Sequence, residues 1–163
     1  ATAKGKMDLS IPVEKFRGKQ CVKDVQISLH NNWQKLHWRA IKASYNSAPF
    51  FEYYEDDFAP FYEKKYQFLL DFNMDLFRLI TILLGVETNL NLTENYIDYH
   101  ENDFREIIHP KKSSYIDKTF ADYSYYQVFS QKNGFIPNLS IIDLLFNMGN
   151  ESRIVLKNTF IER

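Results

Sequence analysis

The feature that most constrains this chain is its middle third. Residues 50–68 hold nine aromatic side chains in nineteen positions. Directly after them, Leu69, Phe72, Leu76, Leu79, Ile80 and Leu83 recur at helical spacing until Gly85. Such a run must be buried or partnered, so it fixes the core of whatever the chain builds. Pro60 suits the first turn of a helix, and Gly85 suits a C-terminal stop, so the spacing predicts one helix over 60–84. The aromatic segment is expected to pack mainly inward. Leu76 to Leu84 is its most apolar stretch, but Arg78 interrupts it, and a bilayer span needs about 20 apolar residues. It reads as a core helix.

Two more helices are legible. From Trp33, Leu36, Ala40, Ala43 and Ser47 mark one face and Trp38, Ile41 and Tyr45 a second, with Pro49 beyond; this predicts a helix over 32–47, capped by Asn31 or Asn32. Ser140 and Asp143 form a capping-box variant ahead of Leu144 to Met148, predicting a helix over 140–148 that Gly149 ends. Strand-like pieces lie at 8–13, 22–28, 88–92 and 125–129, the first weakened by Pro12. The first two could pair as a loose hairpin. Asp103 to His109 reads as a short helix closed by Pro110, and 111–124 as a loop. The single cysteine, Cys21, excludes an internal disulfide and reads as a small buried residue.

The alternation of strand pieces and helices predicts an α/β domain, helix-rich, built on part of a Rossmann-like nucleotide-binding sheet; α+β with a small mixed sheet is the alternative. At 163 residues, one domain over 1–163 is expected. The chain opens on Ala1 and runs at once into a strand-like piece, so it reads as N-terminally incomplete. Lys and Arg number 20 against 21 Asp and Glu, and this balance argues against a nucleic-acid partner. No basic stretch leads into an apolar block, and no stretch can span a bilayer, so a cytoplasmic location is expected.

Chemistry-bearing residues are sparse. His30, His37, His100 and His109 show no paired-ligand spacing, so no metal site is expected. His37 lies four residues after Trp33 on one helix face. It is either a half-buried histidine among aromatics or a general acid or base. Glu55, Asp56 and Asp57 read as a solvated helix end, or as a carboxylate facing a ligand within the aromatic belt. Arg105 could clamp a phosphate or carboxylate, or simply pair with Asp103 or Glu101. Lys111 and Lys112 would sit at the rim. There is no P-loop, GxGxxG or GxSxG, and five glycines leave little for a phosphate-cradling loop. No cofactor is indicated.

The runs Leu9–Lys15 (LSIPVEK), Asn32–Trp38 (NWQKLHW), Ala43–Phe51 (ASYNSAPFF), Asp103–Lys111 (DFREIIHPK), Tyr126–Phe129 (YQVF) and Gly134–Gly149 (GFIPNLSIIDLLFNMG) carry a resemblance. Together they are similar to the WbqC-like protein family, in the form found in Bacteroidetes. Members of that family carry an N-terminal Gln-Pro-Tyr type turn that is absent here. The resemblance implies a role in biosynthesis of surface polysaccharide of the O-antigen type, as a group transfer onto a nucleotide-sugar or amino sugar. The rival expectation is a non-catalytic binding or scaffold module of a polysaccharide assembly system. The site expected from these matched blocks has His37, Asp103 and His109 as catalytic groups. Trp33, Tyr54, Arg105, Tyr126 and Gln127 would contact a nucleotide-sugar or other small molecule.

Overall fold

The structure is a computed structural model that describes residues 1–105 and 120–160. Six α-helices occur among these residues: α1 (Trp33–Tyr45), α2 (Phe51–Glu63), α3 (Leu69–Leu84), the single turn α4 (Ser130–Asn133), α5 (Ile141–Met148) and α6 (Ser152–Thr159). The expected sheet is not there. The described residues contain no β-strand, only isolated bridges at Thr2–Gly5, Val13–Ile27, Gln26–Phe68 and Phe120–Phe160. Both the Rossmann-like α/β arrangement and the small mixed sheet are therefore overturned.

The reason is local. Residues 22–24 close into a 3-10 turn, which leaves only 25–28 extended. That short piece does meet 12–14, through Ser28 N to Pro12 O and Glu14 N to Gln26 O, both 2.9 Å. On its other side Ile27 N donates to Gln67 O and Leu69 N to Val25 O. Each contact is one or two bonds long, too short to propagate a ladder. Residues 88–92 make no bridge, and 125–129 end in a turn before α4. The predicted helix over 103–109 and loop over 111–124 fall largely outside the described residues; Asp103 to Arg105 is not helical.

The single helix expected over 60–84 is two. Pro60 lies inside α2, not at a start. It has no N–H for the carbonyl of Asp56, which sits on the exposed face where water can serve it. Phe51, Tyr54, Phe58 and Phe61 fall at helical spacing and are buried. Glu55, Asp56 and Asp57 consequently lie mid-helix rather than at a helix end, and Glu55 pairs with Lys42 at 2.8 Å. Residues 64–68 then run extended so that the backbone of 67–69 can reach 25–27, and α3 begins at Leu69. Cys21 is exposed, not buried.

The core has two centres. One joins Ile41 and Tyr45 of α1, Phe51, Tyr54 and Phe58 of α2, and Leu145 and Phe146 of α5. The other joins Trp33, Phe61, Tyr66, Phe72 and Ile27. Edge-to-face ring pairs recur throughout, as between Phe51 and Phe146 (5.1 Å) and between Tyr66 and Phe72 (5.3 Å).

Gly149 ends α5 at φ 55°, ψ −129°, a conformation open to glycine alone. A Cβ there would come within 2.6 Å of the Phe50 ring. Gly149→Ala should therefore cost about 2–3 kcal/mol, from backbone strain and ring displacement together. Urea unfolding checks this; a loss within about 0.5 kcal/mol, the usual surface value, would contradict it.

Candidate functional site

A hollow of about 520 Å³ lies between α1 and α3 among the described residues. Small-molecule sites typically enclose roughly 300–1,000 Å³. Its walls follow from helical spacing. The α1 stripe His37, Ala40, Ile41 and Ser44 forms one side. Small residues at 40 and 44 keep that side open. The opposite side is Phe72, Asn73, Leu76 and Ile80 of α3. Met7, Leu9 and Ile11 of the extended N-terminal segment cover part of it, and Asn138, Leu139 and Ser140 close the end at which α5 begins. Phe58 and Tyr62 of α2 also line it. Burial pushes the Tyr62 hydroxyl up to about 12, so it stays neutral.

His37 brings the titratable ring to this wall. Burial lowers its pKa from the ordinary 6.5, and the backbone of Ser10 offsets part of that by favouring the charged form. The ring is thus neutral at pH 7 and able to accept a proton. It stands edge-on to Trp33 with centroids 5.1 Å apart. Because the folded pKa is depressed, protons bind the unfolded chain more readily. Stability should therefore fall as pH drops below about 6.5, by an amount set by the shift. An NMR titration of the His37 ring should show its midpoint below 6.5; a midpoint at or above that value would contradict the burial argument.

Behind the α5 end of the cavity lies a polar knot centred on Asp143, which sequence reasoning assigned only to helix capping. Asp143 is 1 % exposed. Ser140 does not cap α5 through its side chain, and the Asp143 carboxylate turns inward instead. Its Oδ1 accepts from the Tyr45 hydroxyl at 2.8 Å and lies 3.3 Å from the nitrogen of Ala1. Its Oδ2 accepts from Tyr125 at 2.8 Å and from Gln127 Nε2 at 3.1 Å. Burial first, and the adjacent carboxylate next, push the Tyr45 hydroxyl far above its ordinary pKa. Burial likewise dominates the rise at Tyr125. Both phenols therefore remain donors to Asp143. A buried Asp at the third position after a helix-capping Ser, on an otherwise apolar helix face, was the available signal.

The other expected site residues are scattered. Trp33 is 5 % exposed, packs in the second core centre, and its indole nitrogen has no hydrogen-bond partner among the described residues. Tyr54 is sealed in the first core centre. Gln127 spends both amide hydrogens, on Ile136 O and on Asp143, and accepts from Ile136 N, so it ties the 134–137 loop to α5. Tyr126 is exposed. Asp103 and Arg105 pair with each other, and Arg105 also donates to Ile97 O at 2.8 Å and lies over the Tyr96 ring. Hydrogen bonds from Arg105 hold the Asp103 carboxyl at about 2. Neither residue borders the cavity. His109, Lys111 and Lys112 lie outside the described residues. A second hollow of about 510 Å³, bordered by His30, Tyr66 and Gln26, contains none of the expected site residues. No cluster of metal-binding side chains occurs among the described residues.

Among these residues no helix is long and apolar enough to cross a membrane. No solved structure matches the chain. A relative in Mycobacterium tuberculosis, the uncharacterized protein Rv1507c, is 31% identical over an alignment 179 positions long, covering 93% of this chain and 76% of the relative. The profile of the WbqC-like protein family matches residues 1–113 and 99–155, which leaves little of the sequence outside it. Matches of that extent establish kinship: the chain belongs to the WbqC-like protein family.

Proposed function

We propose that this chain is an enzyme domain of surface-polysaccharide biosynthesis, of the O-antigen type, acting in the cytoplasm, and that it transfers a group onto a nucleotide-sugar or amino sugar in the cavity between α1 and α3. The observation that carries the reading is the conjunction of a sugar-sized hollow with a neutral histidine in its wall. Its lining supports the same view. Apolar faces at Leu76, Ile80 and Met7 suit the C–H side of a sugar ring, and Asn73, Asn138 and Ser140 offer hydrogen bonds to hydroxyls. His37 serves as general base. As a substrate amine or hydroxyl forms its bond to the incoming group, the ring nitrogen takes the proton that the nucleophile loses, and the donor's leaving group departs with the electron pair. Asp103 and Arg105 do not line this cavity.

A thermal-shift series with UDP-N-acetylglucosamine, UDP and D-glucosamine tests the reading. Ligand at about 100 times its Kd adds about 2.7 kcal/mol to the native state. For a chain of this size that raises Tm by roughly 5–10 °C. His37→Ala should abolish transfer while retaining most of the shift. If no sugar or nucleotide-sugar raises Tm, the enzyme reading fails and the non-catalytic scaffold module takes its place.

A further inference from the structure

The α3 helix is more apolar than its burial explains. Among its 16 residues only Phe72 is buried. One side of it, at Leu76, Leu79, Ile80 and Leu83, packs on the core centres. Leu70, Met74 and Phe77 belong to neither centre and pack against neither. Phe77 is 41 % exposed. With Thr81, these residues stand four, three and four positions apart, the heptad spacing of a helix seam. We infer that the chain forms a symmetric dimer in which this seam of α3 lies antiparallel against the same seam of a second copy, at the edge of the cavity.

The charges beside the seam argue for a second copy and for one register. A twofold axis midway between Met74 and Phe77 sets Met74 of one copy beside Phe77 of the other, and Leu70 beside Thr81. In an antiparallel pair the positions that directly follow Leu70 and Phe77 meet across the axis. Those positions are Asp71 and Arg78, both exposed and opposite in charge. The dimer therefore makes the Asp71–Arg78 pair twice. Sliding one copy by a heptad sets Asp71 against Asp71, or Arg78 against Arg78, which like-charge repulsion opposes. Asp71 forms no ion pair among the described residues. Arg78 lies 3.2 Å from Asp75 of its own helix. Asp75 also has Lys64 at 3.7 Å and the Tyr66 hydroxyl at 3.2 Å. The forked guanidinium is thus free to serve a second carboxylate.

On the other flank of the seam Asn73 meets Ile80 across the axis. Both line the cavity, so the second copy stands at the α3 edge of each site. From Leu70 to Thr81 the seam is only about 17 Å long at 1.5 Å per residue. An interface of that length is small, and a Kd of about 1–100 μM is expected.

The test is sedimentation of the full chain at pH 7, from about 1 to 300 μM, a range that brackets a weak interface. The wild type should pass from monomer to dimer within it. Arg78→Asp and Asp71→Arg should each weaken the dimer by about tenfold or more, since each sets like charges face to face. The double swap, Asp71→Arg with Arg78→Asp, should return the Kd to within about threefold of the wild type. Phe77→Ser should leave a monomer throughout. Circular dichroism checks that each variant keeps its helix content, and the exposed charge swaps decide the matter even if Phe77→Ser folds poorly. A wild type that stays monomeric at the highest concentration overturns the dimer. A dimer that Phe77→Ser and Arg78→Asp leave unchanged lies on another face and overturns the seam. Single swaps that weaken it, with no recovery in the double swap, overturn the antiparallel register.

Discussion

Phe146→Ala is expected to destabilise the protein by about 3–5 kcal/mol, a large share of the stability of any single domain. Phe146 is 0 % exposed. Its ring stands edge-on to three others, Tyr45 of α1 at 5.2 Å and Phe51 and Phe58 of α2 at 5.1 and 5.2 Å. It therefore joins three helices, and its backbone carbonyl also accepts from Phe50 N at 3.0 Å, at the start of α2. Truncation removes the transfer energy of a whole aromatic side chain and opens a void that rigid neighbouring rings cannot fill. Phe146→Leu, which keeps most of the volume, should cost less than half as much. Urea unfolding of both variants checks this; a loss under about 1 kcal/mol for the alanine variant would contradict the described core.

Asp143→Ala should be as costly, about 3–5 kcal/mol, for a different reason. It leaves the Tyr45 and Tyr125 hydroxyls and one Gln127 N–H without their acceptor in a place water barely reaches. Each orphaned donor costs about 1–3 kcal/mol, and the freed hydroxyls recover part of that by rotating. Asp143→Asn keeps one acceptor oxygen and should cost less than the alanine variant. These donors, with the Ala1 nitrogen 3.3 Å from Oδ1, act on one group, so their effects should not add. Tyr125→Phe should cost about 1 kcal/mol in the wild type and close to nothing, or even a gain, in the Asp143→Ala background. Equal costs of Tyr125→Phe in the two backgrounds would show that the knot is not coupled.

The helices were legible where periodicity and a stop signal agreed. Of the two expected α1 stripes, Trp33, Ile41 and Tyr45 are buried while Leu36, Ala43 and Ser47 are exposed, and Gly85 ends α3 in the left-handed region at φ 61°. Pro60 misled because a proline suits a helix start, and only the exposure of the Asp56 carbonyl's side of α2 tells that it can sit further in. The strand pieces were misread because β-branched composition reports a fit to extended backbone, not the presence of a partner. Residues 25–28 found neighbours of two or three residues on each side and stopped there. Helix α6 went unread because Gly149 signals an ending, yet the chain re-enters helix within three residues. Ser152 there is buried and donates to Leu144 O at 3.2 Å, a contact between α5 and α6 that no local pattern announces. Of the site, His37 was legible from its place on the α1 face. The Asp143 knot was not, because Tyr45 at the end of α1 and Tyr125 and Gln127 in the extended segment before α4 are distant in sequence, and only the tertiary fold brings them to one carboxylate.

The central claim is that the cavity between α1 and α3 is where this protein holds its substrate. Ala40 lies in that wall midway along α1, where a larger side chain would project into the hollow rather than into packed core. The most direct measurement is the ligand-induced rise in Tm for Ala40→Phe beside the wild type, with circular dichroism confirming equal helix content. The account predicts a rise of several degrees with D-glucosamine for the wild type and none for Ala40→Phe. An undiminished rise in the filled variant would place the ligand elsewhere and contradict it.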